Sequence, residues 1–85
     1  MLIDLTQEDI DNGTAMNPID CPICHAVYRK TGQLVSVNSQ EIGFDLGNGN
    51  SYTYVLMPTE AQLFVFDFDR GWPVKPFSFE IDEPF

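Results

Sequence analysis

The chain has 85 residues, 44% of them hydrophobic, with 13 acidic against 4 basic side chains for a net charge of −9. That length supports one hydrophobic core and so one domain, 1–85, and seven Phe, three Tyr and one Trp are the aromatics of a folded chain, not a disordered one. The charge argues against direct binding to nucleic acid or to anionic membranes, because both present negative surfaces.

Leu2-Ile-Asp-Leu-Thr6 reads as a short strand. Thr6 then caps a helical turn, Gln7 to Asp11, that carries Glu8, Asp9 and Asp11 and stops at Asn12-Gly13. Thr14 to Ile19 is a loop holding the turn dipeptide Asn17-Pro18. No apolar run reaches membrane-spanning length, and Met1-Leu-Ile-Asp4 turns acidic too early for a signal peptide, so the expected location is the cytoplasm.

Asp20-Cys-Pro-Ile-Cys-His-Ala-Val-Tyr-Arg-Lys-Thr-Gly32 is the clearest helix. Asp20 is the expected N-cap, and Pro22 suits the first turn, where its missing N–H removes no bond. Cys24, Val27 and Tyr28 share the expected inner face. Arg29 and Lys30 complement the negative end of the dipole, and Gly32 supplies the C-terminal stop.

Leu34-Val-Ser-Val37 reads as a strand, Asn38-Ser39 as a turn, and Glu41-Ile-Gly-Phe-Asp-Leu46 as a second strand with Ile42, Phe44 and Leu46 on one face. Gly47-Asn-Gly-Asn50 is the loop of a hairpin that returns through Ser51 to Met57. These glycines are not a phosphate loop, which needs Lys-Ser or Lys-Thr opening a helix behind them.

Pro58-Thr-Glu-Ala-Gln62 opens another helix, with Thr59 and Gln62 forming a capping box and Gly71 ending it. Ala61, Phe64, Val65 and Phe68 form its inner stripe, which leaves Leu63 and Phe66 outside, as an exposed patch of the kind that marks an interface or packed elsewhere. Trp72-Pro-Val-Lys-Pro76 is a stiff connection, Phe77-Ser-Phe-Glu-Ile81 a last strand with Phe77, Phe79 and Ile81 inward, and Asp82 to Phe85 a frayed tail. The expectation is an α+β domain, a small and mainly antiparallel sheet of four to five strands with two to three helices packed on it.

Cys21, Cys24 and His25 are the chemistry-bearing residues. Cys21-Pro-Ile-Cys-His25 fits the haem-attachment pattern, but that chemistry needs export to an oxidising compartment. A structural zinc site needs four ligands where this segment offers three. A thiol redox site of glutaredoxin type is the remaining sharp reading, since a helix N-terminus lowers a thiol pKa. Against it stand the long loop from Thr6 to Cys21, the absence of a Thr-Val-Pro stretch to face the thiols, and the neighbouring Asp20, which disfavours a thiolate. The plain reading, two cysteines packed as small apolar residues with no metal and no cofactor, is preferred. Asp67 with Asp69 and Glu80 with Asp82 are read as solvated pairs, not acid–base partners, and no enzymatic activity is expected.

Four segments carry a resemblance: Leu5-Thr-Gln-Glu-Asp-Ile-Asp-Asn-Gly13, Cys21-Pro-Ile23, Pro58-Thr-Glu-Ala61 and Phe66-Asp-Phe-Asp-Arg-Gly-Trp-Pro-Val-Lys-Pro-Phe-Ser-Phe-Glu-Ile81. Over nearly the full chain, these resemble a group of small acidic proteins encoded by bacteriophages and prophages, whose shared motifs define no activity. The group has apolar residues where this chain has Cys24 and His25. The resemblance implies action in the bacterial host cytoplasm. Some small acidic phage proteins, several anti-CRISPR proteins among them, inhibit host machinery by occupying basic nucleic-acid-binding surfaces. The implied partner is therefore a host protein with such a surface, a CRISPR-type defence complex included. The candidate contact residues are Asp9, Asp11, Asp45, Asp67, Asp69, Glu80 and Asp82, acting as DNA mimics that compete for Lys and Arg. Acidity that serves only solubility is the plainer alternative. The oligomeric state, a homodimer included, is left open by the sequence.

Overall fold

The structure is a computed structural model that describes residues 1–45 and 52–85. Its elements run β1 (Leu2–Leu5), α1 (Gln7–Asn12), α2 (Pro22–Thr31), β2 (Val35–Val37), β3 (Glu41–Phe44), β4 (Thr53–Leu56), α3 (Thr59–Asp69) and β5 (Phe77–Glu80). The expected Gly47–Asn50 hairpin loop lies outside the described residues.

The class is α+β, but the strands do not share one sheet. β1 pairs with β5, while β2, β3 and β4 form a separate antiparallel sheet. This corrects the single sheet of four to five strands. The cause lies in α2, which packs against both β1 and β2, so that helix side chains and not a shared hydrogen-bond ladder join the two sheets. Among the described residues no helix is long and apolar enough to cross a membrane.

Alternation sets the inner faces. Ile3 and Phe79 face each other across β1 and β5, and Val37, Ile42 and Val55 form a row across the other sheet. With Ile23, Val27, Phe44 and Met57 they make one core. On the opposite face of that sheet Gly43 leaves room for Tyr54, whose ring atoms would lie 2.9 Å from any Cβ placed there.

Helix ends follow the sequence in three places and depart from it in two. Thr6 caps α1 through a capping box with Asp9. Gly32 (φ 74°) and Gly71 (φ 76°) adopt the left-handed backbone that ends α2 and α3. Asp20, however, is not the N-cap of α2; Cys21 occupies that position, one residue later, because Pro22 fixes the first helical residue. Nor does Thr59 cap α3. It is the first helical residue behind an extended Pro58, and the Gln62 amide instead donates to the Met57 carbonyl at 2.8 Å. Tyr28, expected inward, is exposed, because α2 turns Ile23, Ala26 and Val27 to the core. The tail is not simply frayed: Phe85 meets the Phe44 ring edge-on at 6.1 Å.

Candidate functional site

The segment before α2 is organised by Asp20. Its backbone carbonyl accepts the Thr14 N–H, and its carboxylate accepts the Thr14 hydroxyl at 2.8 Å and meets His25 Nε2 at 2.9 Å. The Thr14 hydroxyl, with the His25 contact second, holds the Asp20 carboxyl below the usual carboxylate range. Gly13 brings α1 against this point. A Cβ there would fall 2.5 Å from the Pro22 ring and backbone nitrogen, so only glycine lets α1 end directly on the start of α2. These contacts place Cys21 and Cys24 one helical turn apart.

The two thiols touch, with Sγ···Sγ at 3.4 Å, and both are free and buried. The hydrogen bond from Cys24 lowers the Cys21 pKa most. Burial opposes it, the backbone N–H groups of Cys24 and Ile23 assist it, and the nearby Asp69 charge opposes it. Cys24 moves the other way, raised by its bond to Cys21, then by burial and by the Cys21 charge. Its Sγ also lies 3.2 Å from the Pro18 carbonyl, a second acceptor for its one S–H proton. One sulfur is thus favoured as thiolate and its neighbour as thiol. His25 is turned to Asp20, and among the described residues no three His, Cys, Asp or Glu side chains converge as metal ligands.

Cys21 lines a groove of about 530 Å³. Its walls are Met16 and Pro18 from the preceding loop, Val37 from β2, and Phe66 and Asp69 from α3. Asp69 accepts the Met16 N–H at 2.8 Å, which ties the loop to the helix. Met16 holds a left-handed backbone, φ 58°, that side-chain-bearing residues seldom adopt, and its side chain is 79% exposed. Arg70 also lines the groove, with its guanidinium 4.0 Å from the Phe66 ring centre, and Phe66 meets Trp72 edge-on at 6.0 Å. Leu63, Phe66 and Trp72 are about half exposed, so of the two readings the sequence left for Leu63 and Phe66, the exposed patch holds.

The seven candidate carboxylates are not one cluster. Asp9 is 4% exposed and belongs to the interior, where it binds the Arg29 guanidinium and the Thr6 backbone N–H. Burial pushes its carboxyl up, but the Arg29 and Thr6 hydrogen bonds outweigh it and leave it below the ordinary value. Asp11 accepts from Gln7 on the outer side of α1, and Asp69 serves the Met16 N–H. Asp67 and Asp69 are half-buried at the end of α3, Glu80 lies beside the Met1 ammonium at 3.2 Å, and Asp45 and Asp82 are exposed.

Arg29 is the functional residue the sequence hid most completely. Its place in the last turn of α2 suggested a dipole partner, whereas it also reaches back to Asp9 and donates to the Asp4 carbonyl at 2.6 Å. Met16 gave no signal at all, because neither its backbone angle nor its Asp69 bond has a local signature. No protein-family model matches the chain, and no curated protein or solved structure matches it.

Proposed function

We propose that this chain is a phage-encoded binding protein without enzymatic activity, which inhibits a host nucleic-acid-binding protein, a CRISPR-type defence complex included, by occupying its basic surface. One observation carries the reading. Every carboxylate but Asp9 reaches the surface at least in part, while Arg29, one of only four basic side chains, is spent on Asp9. The outer surface is therefore acidic on balance, with Lys30, Arg70 and Lys75 its exposed cations beside the half-exposed Arg29, and such a field draws in and orients a basic partner.

The aromatic group at the end of α3 supplies what charge alone lacks. Phe66 and Trp72 are half exposed close to Asp67 and Asp69, with this chain's own Arg70 guanidinium 4.0 Å from the Phe66 ring centre and 5.4 Å from that of Trp72. A partner's apolar side chains, or the stem of its Lys or Arg, pack on the ring surface that Arg70 leaves open, while a cationic head meets the carboxylates. Well-packed aromatic contacts carry most of the energy in interfaces of this kind, and rim charges set rate and selectivity.

The test is affinity capture from bacterial lysate, followed by competition on the purified pair. Recovery of a nucleic-acid-binding complex that is displaced both by duplex DNA and by raised salt supports the reading. Capture that neither salt nor DNA disturbs, or no capture, refutes it. Asp67→Lys combined with Asp82→Lys weakens binding if carboxylates are the contacts, and unchanged binding removes the mimic mechanism.

A further inference from the structure

We propose that Cys21 and Cys24 form a redox-active pair that passes from dithiol to disulfide by exchange with a disulfide substrate, Cys21 attacking and Cys24 resolving, and returns to the dithiol when two equivalents of a thiol run the same steps in reverse. The proposal does not rest on the binding reading and departs from its non-enzymatic part, because it gives the chain a redox reaction.

Three observations carry it. The sulfurs are already in contact at 3.4 Å, at the N-cap and third residues of one helix, a spacing that needs little backbone movement to close a bond. Their environments differ in the sense that exchange requires. The Cys21 sulfur sits at the positive end of the helix dipole within reach of the Cys24 S–H, which favours its thiolate, while the one Cys24 proton has further acceptors in the carbonyl oxygens of Pro18 at 3.2 Å and Val35 at 3.8 Å, which favour its thiol. The two thiols, equally buried, also face different pockets. Cys21 opens to the groove between Met16, Pro18 and Phe66, whereas Cys24 lines a separate, smaller pocket with Tyr28 and His25. Of the departures noted from glutaredoxins, the long preceding loop and the missing Thr-Val-Pro stretch concern that fold and do not alter the chemistry of the turn, while the Asp20 carboxylate, which disfavours a thiolate, is turned to Thr14 and His25.

The exchange balances in two steps. The Cys21 thiolate attacks one sulfur of the substrate R–S–S–R, forming Cys21–S–S–R and releasing one R–S⁻. Cys24 gives its proton to that departing thiolate and attacks Cys21 Sγ, forming the Cys21–Cys24 bond and releasing the second R–S⁻. Two electrons pass to the substrate, which is reduced to two thiols as the pair is oxidised. Oxidation also removes the Cys24 S–H that the Pro18 carbonyl accepts, so the groove wall loses one of its ties in the oxidised state.

The experiment equilibrates the purified full chain in buffers of graded glutathione to glutathione-disulfide ratio, quenches with acid, alkylates free thiols and measures intact mass. The wild type is expected to pass from two alkylated thiols to none, with the mass of an internal disulfide. Cys24→Ser is expected to accumulate a mixed disulfide with glutathione at Cys21. Cys21→Ser is expected to form its own at least about tenfold more slowly, since the thiol left is the one held protonated. A wild type that keeps both thiols at every ratio overturns the proposal, and this arm needs no variant to fold. Equal rates for the two variants overturn the assignment of roles. The same rates measured in urea serve as reference, because there the difference must vanish if the fold creates it.

Discussion

The carboxylate of Asp69, in the last turn of α3, accepts the backbone N–H of Met16 across 53 positions of sequence at 2.8 Å. This bond holds the loop ahead of α2 against the far helix and gives the Cys21 groove its shape. A residue that reads as part of a solvated pair is therefore a strut. Asp69→Ala should leave overall stability lower by about 1 kcal/mol, the net worth of one hydrogen bond. The Met16 amide should lose most of its hydrogen-exchange protection in this variant, and Asp67→Lys should leave that protection intact. Equal protection in wild type and Asp69→Ala would show the bond to be unimportant.

Met16 occupies a left-handed backbone that costs a residue with a Cβ about 1–2 kcal/mol. Met16→Gly should relieve part of that, raising stability by about 0.5–1 kcal/mol after the larger unfolded-state entropy of glycine is counted. The same substitution leaves the backbone bond to Asp69 in place, so the Met16 amide should keep its exchange protection while the urea midpoint rises. A fall in the midpoint contradicts the strain assignment.

Asp9 and Arg29 join α1 to α2. The folded Asp9 carboxyl lies below its ordinary value, so its contribution is complete above the unfolded value of about 4 and is lost as pH falls through the folded one. Wild type should lose urea resistance through that acidic window more steeply than Asp9→Asn. At pH 7 the variant should be less stable by about 1–2 kcal/mol, since Arg29 is half exposed and water screens part of the pair. Parallel pH profiles for the two proteins would refute the assignment.

Gly13 has an ordinary φ of −78° and is required for space, not for backbone freedom. Gly13→Ala should cost about 1–3 kcal/mol by forcing α1 away from Pro22. The displacement should also disturb the start of α2, so that the rate difference between Cys21 and Cys24 shrinks together with stability. A neutral effect on thermal unfolding would show that the junction relaxes freely.

Phe66 is the sharpest probe of the docking surface. Phe66→Ala removes a half-exposed ring, so stability should change by no more than about 0.5 kcal/mol. Loss of an aromatic anchor should weaken partner affinity by about tenfold or more, as titration calorimetry would read it. Unaltered affinity would move the interface away from α3.

Much of this molecule was set by local chemistry and could be read without coordinates. Thr6 caps α1, Gly32 and Gly71 end their helices, and Ile3, Ile42, Phe44 and Phe79 turn inward because alternation and capping act over a few residues. The off-face positions of Leu63 and Phe66 followed from helical period alone. Other features rested on partners distant in sequence. Whether five strands make one sheet or two depends on where α2 inserts, and no strand records that in its own pattern. Asp20 yields the cap to Cys21 because Pro22 fixes the first helical residue, and its carboxylate meets Thr14 and His25 instead; Asp9 left the surface set because Arg29 reached it, and Asp69, still partly exposed, is tied to the Met16 N–H. The chain's net charge and its Cys-Pro-Ile-Cys turn are properties of sequence; which carboxylates remain outside, and that Cys21 opens to a groove while Cys24 is held as a thiol, were decided only when segments up to 53 positions apart packed together.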